Sequence, residues 1–154
     1  MAGIGYDPRY PGAESLIFLP PNEHSRFWVR PEQPSRWPHF VASLLSAAGG
    51  DKVLACPRQG TWPNLDKAFY ALDRTQAVVT TALGVPSGWR GAIAFDNNDR
   101  DRLIAILVMQ LLEPINDLYV LAPAGTAFLQ FSHHDVVHVS CATSAGIESM
   151  VNAM

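Results

Sequence analysis

The stretch DLYVLAPAGTAFLQFSHHDVVHVSC, residues 117–141, decides the fold class of this chain. It holds three short runs of apolar and β-branched residues, separated by a Pro-Ala-Gly turn at 123–125 and a polar His-His-Asp bend at 133–135. Runs of this length, joined by turns too short to hold a helix, are typical of an antiparallel meander. We therefore expect strands over 117–122, 126–132 and 136–141.

Upstream of the meander, short strands alternate with helices. Proline brackets and β-forming residues predict strands over Leu16–Leu19 and Arg26–Val29, as a hairpin across PPNEHS, and further strands over Lys52–Cys56 and Gly91–Phe95. Helices are predicted to begin at Ser35, Asn64 and Asp96, or one of the two Asn after it, and a short terminal helix at Ser144. Gly49–Gly50, Gly84 and Pro114 end the first three.

The helix from Asn64 has the clearest pattern. Its apolar stripe runs from Leu65 through Phe69 to Leu83, and nearby alanines widen it. We therefore expect this helix to be buried on two sides.

This order of elements favours an α+β fold over a doubly wound α/β sheet, because turns rather than helices join the last three strands. The expected architecture is an antiparallel or mixed sheet whose C-terminal three-strand meander packs against about three helices. Residues 1–154 are predicted to form one domain, with 1–13 as an irregular arm.

Composition favours a protein of a reducing compartment that needs neither metals nor disulfides to fold. Apolar residues make up 48% of the chain and charged residues 16%, enough to build a core. The two cysteines, Cys56 and Cys141, lie far apart, and residues 1–10 do not form a secretory signal. The apolar run at 103–112 is too short to span a bilayer, so we expect a cytoplasmic protein.

Charge argues against nucleic-acid and membrane partners. Residues 78–154 carry three Lys or Arg against seven Asp or Glu, with no cation after Arg102, while residues 1–77 carry eight against seven. Both phosphate backbones and anionic lipids need clustered cations, which this half of the chain lacks.

The conspicuous polar residues are His133, His134, Asp135 and His138. On an extended strand, His134 and His138 share one face and could supply two ligands of a metal site. A complete site needs three or four ligands, and the sequence offers no obvious third. His133 or His134 beside Asp135 has the chemistry of an acid–base pair. The simpler interpretation is a polar hairpin corner followed by a solvent-facing His138.

Other candidates carry less chemistry. Cys56–Pro57–Arg58 has a cation beside a thiol, but a buried strand-end cysteine is the preferred interpretation. No phosphate-loop, dinucleotide, nucleophile-elbow or zinc-protease motif occurs in the sequence, and we expect no cofactor. Trp62 and Trp89, if exposed in their loops, are candidate interface anchors.

The segment 117–141 resembles the C-terminal part of small immunity proteins from bacterial polymorphic-toxin systems. In those proteins a strand, a Pro-Gly turn, a strand, a His-His-Asp corner and a closing strand precede a short helix. The resemblance implies a non-enzymatic inhibitor that binds a cognate toxin domain, expected here to be basic because the second half of this chain is acidic. The predicted contact residues are Trp89, Asp96, Asp99, Asp101, His133, His134 and Asp135.

Two alternatives stay open: a small enzyme using the His133–Asp135 pair, and a ligand- or metal-binding accessory domain. The identity of any toxin, the oligomeric state and the strand order do not follow from the sequence.

Overall fold

The computed structural model describes residues 25–48, 51–122 and 127–154. Within these ranges the strands are β1 Ser25–Val29, β2 Lys52–Pro57, β3 Ile93–Asp96, β4 Leu118–Leu121, β5 Ala127–Phe131 and β6 Val136–Cys141. The helices are α1 Trp37–Ala48, α2 Ala71–Ala82, α3 Arg100–Leu112 and α4 Ser144–Ala153. The arm at 1–13, the strand Leu16–Leu19 with most of its hairpin turn, the Gly49–Gly50 stop and the turn at 123–125 lie outside the described residues.

The six strands form one sheet in the order β1-β6-β5-β4-β2-β3. Every neighbouring pair is antiparallel, so the predicted α+β fold is confirmed and the mixed alternative is not found among the described strands. The predicted meander is β4-β5-β6. The two outer strands of the meander pair with strands from earlier in the chain, β4 with β2 and β6 with β1. The meander therefore lies in the middle of the sheet, with β1 and β3 as its edge strands.

Alternation along the strands separates two faces, as the period of two requires. The four helices contribute to a core on one face, together with strand residues such as Val53, Ala55, Leu129 and Val139. The opposite face carries a smaller buried cluster of Cys56, Ala92, Tyr119 and Phe128. Burial raises the pKa of the Cys56 thiol to about 12, which fits the predicted buried strand-end cysteine and not a nucleophile.

The start of α2 differs from the prediction. Residues Leu65–Lys67 form a separate 3-10 turn, and α2 begins at Ala71. Two carboxylates fix that start: Asp73 accepts from the Tyr70 backbone N–H at 3.4 Å, and Glu113 accepts from the Leu72 N–H at 2.9 Å.

The exposure of α2 also corrects the expected burial. Leu65 and Phe69 belong to no α-helix and are 56% and 80% exposed, although the stripe predicted both in the core. Val78 on the outer side of α2 is exposed as well. The helix is therefore buried on one side, not two.

Other boundaries follow local capping chemistry. The predicted cap Asp96 accepts from the backbone N–H groups of Asn98 and Asp99. Thr143, one residue before the predicted cap Ser144, caps α4 through the Gly146 N–H at 3.2 Å. Ser35 lies inside a 3-10 turn and is not a cap.

Arg30, just after β1, joins three elements. Its guanidinium lies 3.3 Å from the Asp135 carboxylate, donates to the Leu111 carbonyl near the end of α3, and stacks 5.2 Å above the Trp37 ring. A cation is favourable at a helix C-terminus. Arg30 therefore holds the β5–β6 turn against the helical layer.

In the part of the chain that the structure describes, the longest helix is α3 with 13 residues, and no helix meets the length and apolarity that a bilayer crossing requires.

Candidate functional site

The sheet brings three distant polar residues together at one end. The last residue of β2, Pro57, pairs with Leu118, which also pairs with Phe131 at the end of β5. Arg58, Asp117 and His133 lie just beyond these positions. The Arg58 N–H donates to the Asp117 carbonyl at 2.9 Å, which extends the β2–β4 ladder by one bond.

The Asp117 carboxylate is the centre of this group, with its side chain only 2% exposed. Its Oδ1 lies 2.6 Å from His133 Nδ1 and accepts the His133 backbone N–H at 3.0 Å. Its Oδ2 accepts from Gln130 Nε2 at 2.9 Å and from Arg58 Nη1 at 3.3 Å. We call Arg58, Asp117, Gln130 and His133 the Asp117 cluster.

These contacts set the charge state of the cluster. Burial alone would raise the pKa of Asp117, but hydrogen bonds from the His133 side chain and backbone and from Gln130 outweigh it, so this pKa lies below its ordinary 3.8. Burial, and then the nearby Asp117 charge, raises the pKa of Tyr119. Because the ionised carboxylate accepts the Nδ1 proton, Nε2 is the nitrogen that His133 offers to other groups.

Two open depressions flank the Asp117 cluster. One, of about 460 Å³, is lined by Arg58, Gln59, Ile115, Asn116, Asp117 and His133. The other, of about 250 Å³, shares Gln59, Asn116 and Asp117 and reaches Leu72 and Asp73 in the first turn of α2. Gln59 donates to the Asn116 side chain at 2.6 Å, forming the ridge between them.

An exposed aromatic pair stands beside the second depression. Phe69 is 80% exposed and Tyr70 44%, and their rings meet edge to face with centroids 5.0 Å apart. Both residues directly precede α2, whose first turn lines the depression. We call the surface from His133 and Arg58, across this ridge, to Phe69 and Tyr70 the cluster face.

The His133–Asp135 bend is a tight turn, as the polar hairpin corner predicted. Ser132 N–H donates to the Val136 carbonyl at 2.9 Å, and Asp135 has a positive φ of 62°. The rings of His133 and His134 are 3.8 Å apart. The predicted pairing of a bend histidine with Asp135 is wrong, because His133 contacts Asp117 and Asp135 faces Arg30.

His138 is buried, although the sequence predicted a solvent-facing position. It is 6% exposed, stacks on Phe27 with centroids 4.5 Å apart, and lies 3.3 Å from Ser140 Oγ. Burial lowers the pKa of its imidazole. Because the turn breaks the extended register, His134 and His138 do not form a pair. The described ranges contain no group of three metal-ligating side chains.

The predicted acidic contact residues lie at the other end of the sheet. Asp96 pairs with Lys52 at the start of β2, whereas Arg58 follows the end of β2, about 20 Å from Lys52 at strand rise. Asp99 is 7% exposed and bonded to Arg102 at 2.6 Å, so its charge is used within the chain. Asp101 is exposed. The structure therefore does not join these carboxylates to the His133–Asp135 turn.

The two tryptophan candidates lie near the cluster end of the sheet. Trp62 is 1% exposed and donates to the Gly91 carbonyl at 3.0 Å, so it is a core residue and not an anchor. Trp89 is half-buried, and its indole N–H donates to the Ala92 carbonyl at 3.4 Å. Its loop precedes β3, which β2 separates from β4.

Sequence reasoning names His133 but misses Asp117, Gln130, Phe69 and Tyr70, and it considers Arg58 only as a neighbour of Cys56. The sequence pattern puts Asp117 in a strand and Phe69 in a buried helix. The register of the β4–β5 hairpin could have pointed to Asp117. When Leu118 pairs with Phe131, Asp117 lies close to the His133–Asp135 bend.

A comparison of the chain with protein-family models, with curated proteins and with solved structures finds no match.

Proposed function

We propose that this protein is a non-enzymatic binding protein that recognises a partner protein through the cluster face. The observation that carries the proposal is the exposed Phe69–Tyr70 pair beside two open polar depressions. Aromatic side chains dominate binding energy at protein interfaces, usually within a polar rim. Burial of one such ring gains about 1.5–3 kcal/mol.

The form of the depressions supports a macromolecular partner over a small substrate. Pockets for small molecules enclose most of the ligand surface. The larger depression here is open to solvent and has the single apolar lining residue Ile115. An open, polar depression with an exposed aromatic pair on the same surface suits a protein contact better.

The finer proposal is an immunity-type inhibitor of a bacterial toxin that acts in the cytoplasm. Its support is the order of elements from Asp117 to the chain end: a strand, a second strand, a His-His-Asp turn, a closing strand and a short helix. On this proposal the cluster face contacts the toxin domain. The basic partner surface expected from Asp96, Asp99 and Asp101 would need a second contact region, at the opposite end of the sheet.

The test places a photo-crosslinking amino acid at Phe69 and, as a matched control, at Val151, which is 51% exposed on α4. Crosslinking in the native host should capture a defined protein from position 69 and not from 151. The purified partner should then bind Phe69→Ala at least tenfold more weakly, about 1.4 kcal/mol. Equal capture from both positions, or unchanged affinity, would contradict the proposal.

One observation favours a second candidate, a small acid–base enzyme. The 2.6 Å contact between Asp117 and His133 Nδ1 resembles the carboxylate that orients a catalytic imidazole. On this alternative, Nε2 takes a proton from a substrate or a water. A panel of small ester, amide and phosphate substrates tests it: turnover must be present and must vanish in His133→Ala.

A further inference from the structure

We infer that Arg58 and His133 together form a recognition point for a carboxylate group, held in place by Asp117. The inference rests on the proposed function only for the source of that carboxylate, which we take to be an acidic side chain or C-terminus of the partner protein. The site itself rests on the geometry of the larger depression.

Arg58 has N–H donors that the contact with Asp117 does not engage. Its side chain is 60% exposed, and the contact with Asp117 engages Nη1. A guanidinium has five N–H donors in a planar fork that matches the two oxygens of a carboxylate. Asp117 therefore anchors one edge of the fork, while the rest of it is exposed at the depression.

His133 supplies the second group. Its Nδ1 is taken by Asp117, its side chain is 36% exposed, and its ring lines the same depression as Arg58. An imidazole that carries a proton on each nitrogen donates from Nε2 as well as from Nδ1. The neighbouring His134 ring, 3.8 Å away, and the buried Asp117 are the other titratable groups in contact with it.

Asp117 does not turn the depression into a cation site. Its two oxygens already accept from four donors within the cluster, and its side chain is almost fully buried. A metal ion would have to displace Arg58 and His133. Of the side chains that remain for an incoming ligand, the exposed Arg58 guanidinium has hydrogen-bond donors only, and it therefore favours an anion.

The experiment uses the full chain and two probes. In the first arm, acetate is titrated at constant ionic strength against chloride, and side-chain and backbone resonances are followed by NMR. Saturable shifts should occur at Arg58, His133 and Asn116 and vanish in Arg58→Gln. In the second arm, short linear peptides from a displayed library are selected on the protein. Peptides with Asp, Glu or a free C-terminus should be enriched.

Three variants sharpen both arms. Arg58→Gln should weaken a selected acidic peptide about tenfold, and Arg58→Lys, which keeps the charge but loses the fork, should weaken it less. Lys52→Gln removes an equal charge from an exposed position at the opposite end of the sheet and should change nothing. Circular dichroism of each variant confirms that it is folded.

The outcomes separate the two proposals. If acetate shifts the resonances of the cluster but no peptides are enriched, the carboxylate site stands and its ligand is a free small carboxylate. That result would count against a protein partner. Enriched peptides that lack acidic groups, or that bind Arg58→Gln as well as the wild type, would overturn the carboxylate site while leaving a protein-binding face. The absence of any acetate shift at Arg58 and His133 would also overturn it.

Discussion

Replacing Asp117 by Asn tests the centre of the Asp117 cluster. The change keeps the size of the side chain but removes its charge and puts an NH₂ group where one acceptor oxygen was. The two His133 bonds weaken from charge-assisted to neutral strength, a loss of about 1 kcal/mol each. Gln130, which is half-buried, faces a donor instead of an acceptor, at a cost of about 1–2 kcal/mol. Arg58 is hydrated when released and adds little.

The expected loss is therefore about 3 kcal/mol in the free energy of unfolding, which lowers the thermal midpoint by about 6–12 °C for a chain of this size. Urea unfolding followed by fluorescence and by circular dichroism measures it directly. Asp66→Asn, at an exposed position in the Leu65–Lys67 turn, is the control and should stay within about 0.5 kcal/mol of the wild type.

The pH dependence gives a second readout. Because the folded-state pKa of Asp117 is lowered, its stabilisation is complete above its ordinary 3.8 and is lost as the pH falls through the folded value. The difference in the free energy of unfolding between wild type and Asp117→Asn should therefore become smaller as the pH falls below the folded-state pKa of Asp117. A midpoint for Asp117→Asn close to that of the wild type at neutral pH, or a loss equal to that of Asp66→Asn, would refute the reasoning.

Four further results are expected. Burial lowers the pKa of His138 below 6.5, so the unfolded chain takes up the proton first on acidification. As the pH falls from 6.5 towards the folded-state pKa, wild type should lose up to about 1.4 kcal/mol per pH unit more than His138→Gln in urea titrations. Phe69→Ser should change stability by less than about 0.5 kcal/mol, whereas Trp62→Ala should lose about 3–5 kcal/mol; similar midpoints would mean that their burial is misassigned. Asp135→Val should be about 1–2 kcal/mol less stable than Asp135→Gly, because only the latter tolerates the positive φ, and equal stability would contradict that backbone. Cys56 should resist alkylation at neutral pH until the chain is unfolded, as read by mass spectrometry, since its pKa is about 12; rapid labelling of the native protein would count against its burial.

Local patterns predict most elements, and tertiary contacts account for the errors. The meander strands, the cap at Asp96 and the turn at 133–135 depend on residues close in sequence, so they are predictable. The start of α2 is not, because the apolar spacing continues through Leu65 and Phe69 while the carboxylate of Glu113, 41 residues from Leu72, helps to fix the real N-terminus.

The candidate site is predictable only in part. His133 stands out as a polar residue at a bend, but its partner Asp117 is 16 residues away and Arg58 a further 59. Only the pairing of β2 with β4 brings Arg58 to this place, and no local signal specifies which distant strand β2 takes. The burial of Asp99 also depends on how the start of α3 packs, so its low exposure does not follow from the sequence.

Because three separate segments build the Asp117 cluster, a nascent chain lacks the complete cluster until synthesis has passed His133 and β2 has paired with β4. The complete Asp117 cluster therefore exists only in the folded chain. Any ligand of the cluster face is consequently specific for the native state, and by linkage it must raise the unfolding midpoint as its occupancy rises. A thermal-shift screen therefore detects partners of any chemical class, whether or not their identity has been guessed beforehand.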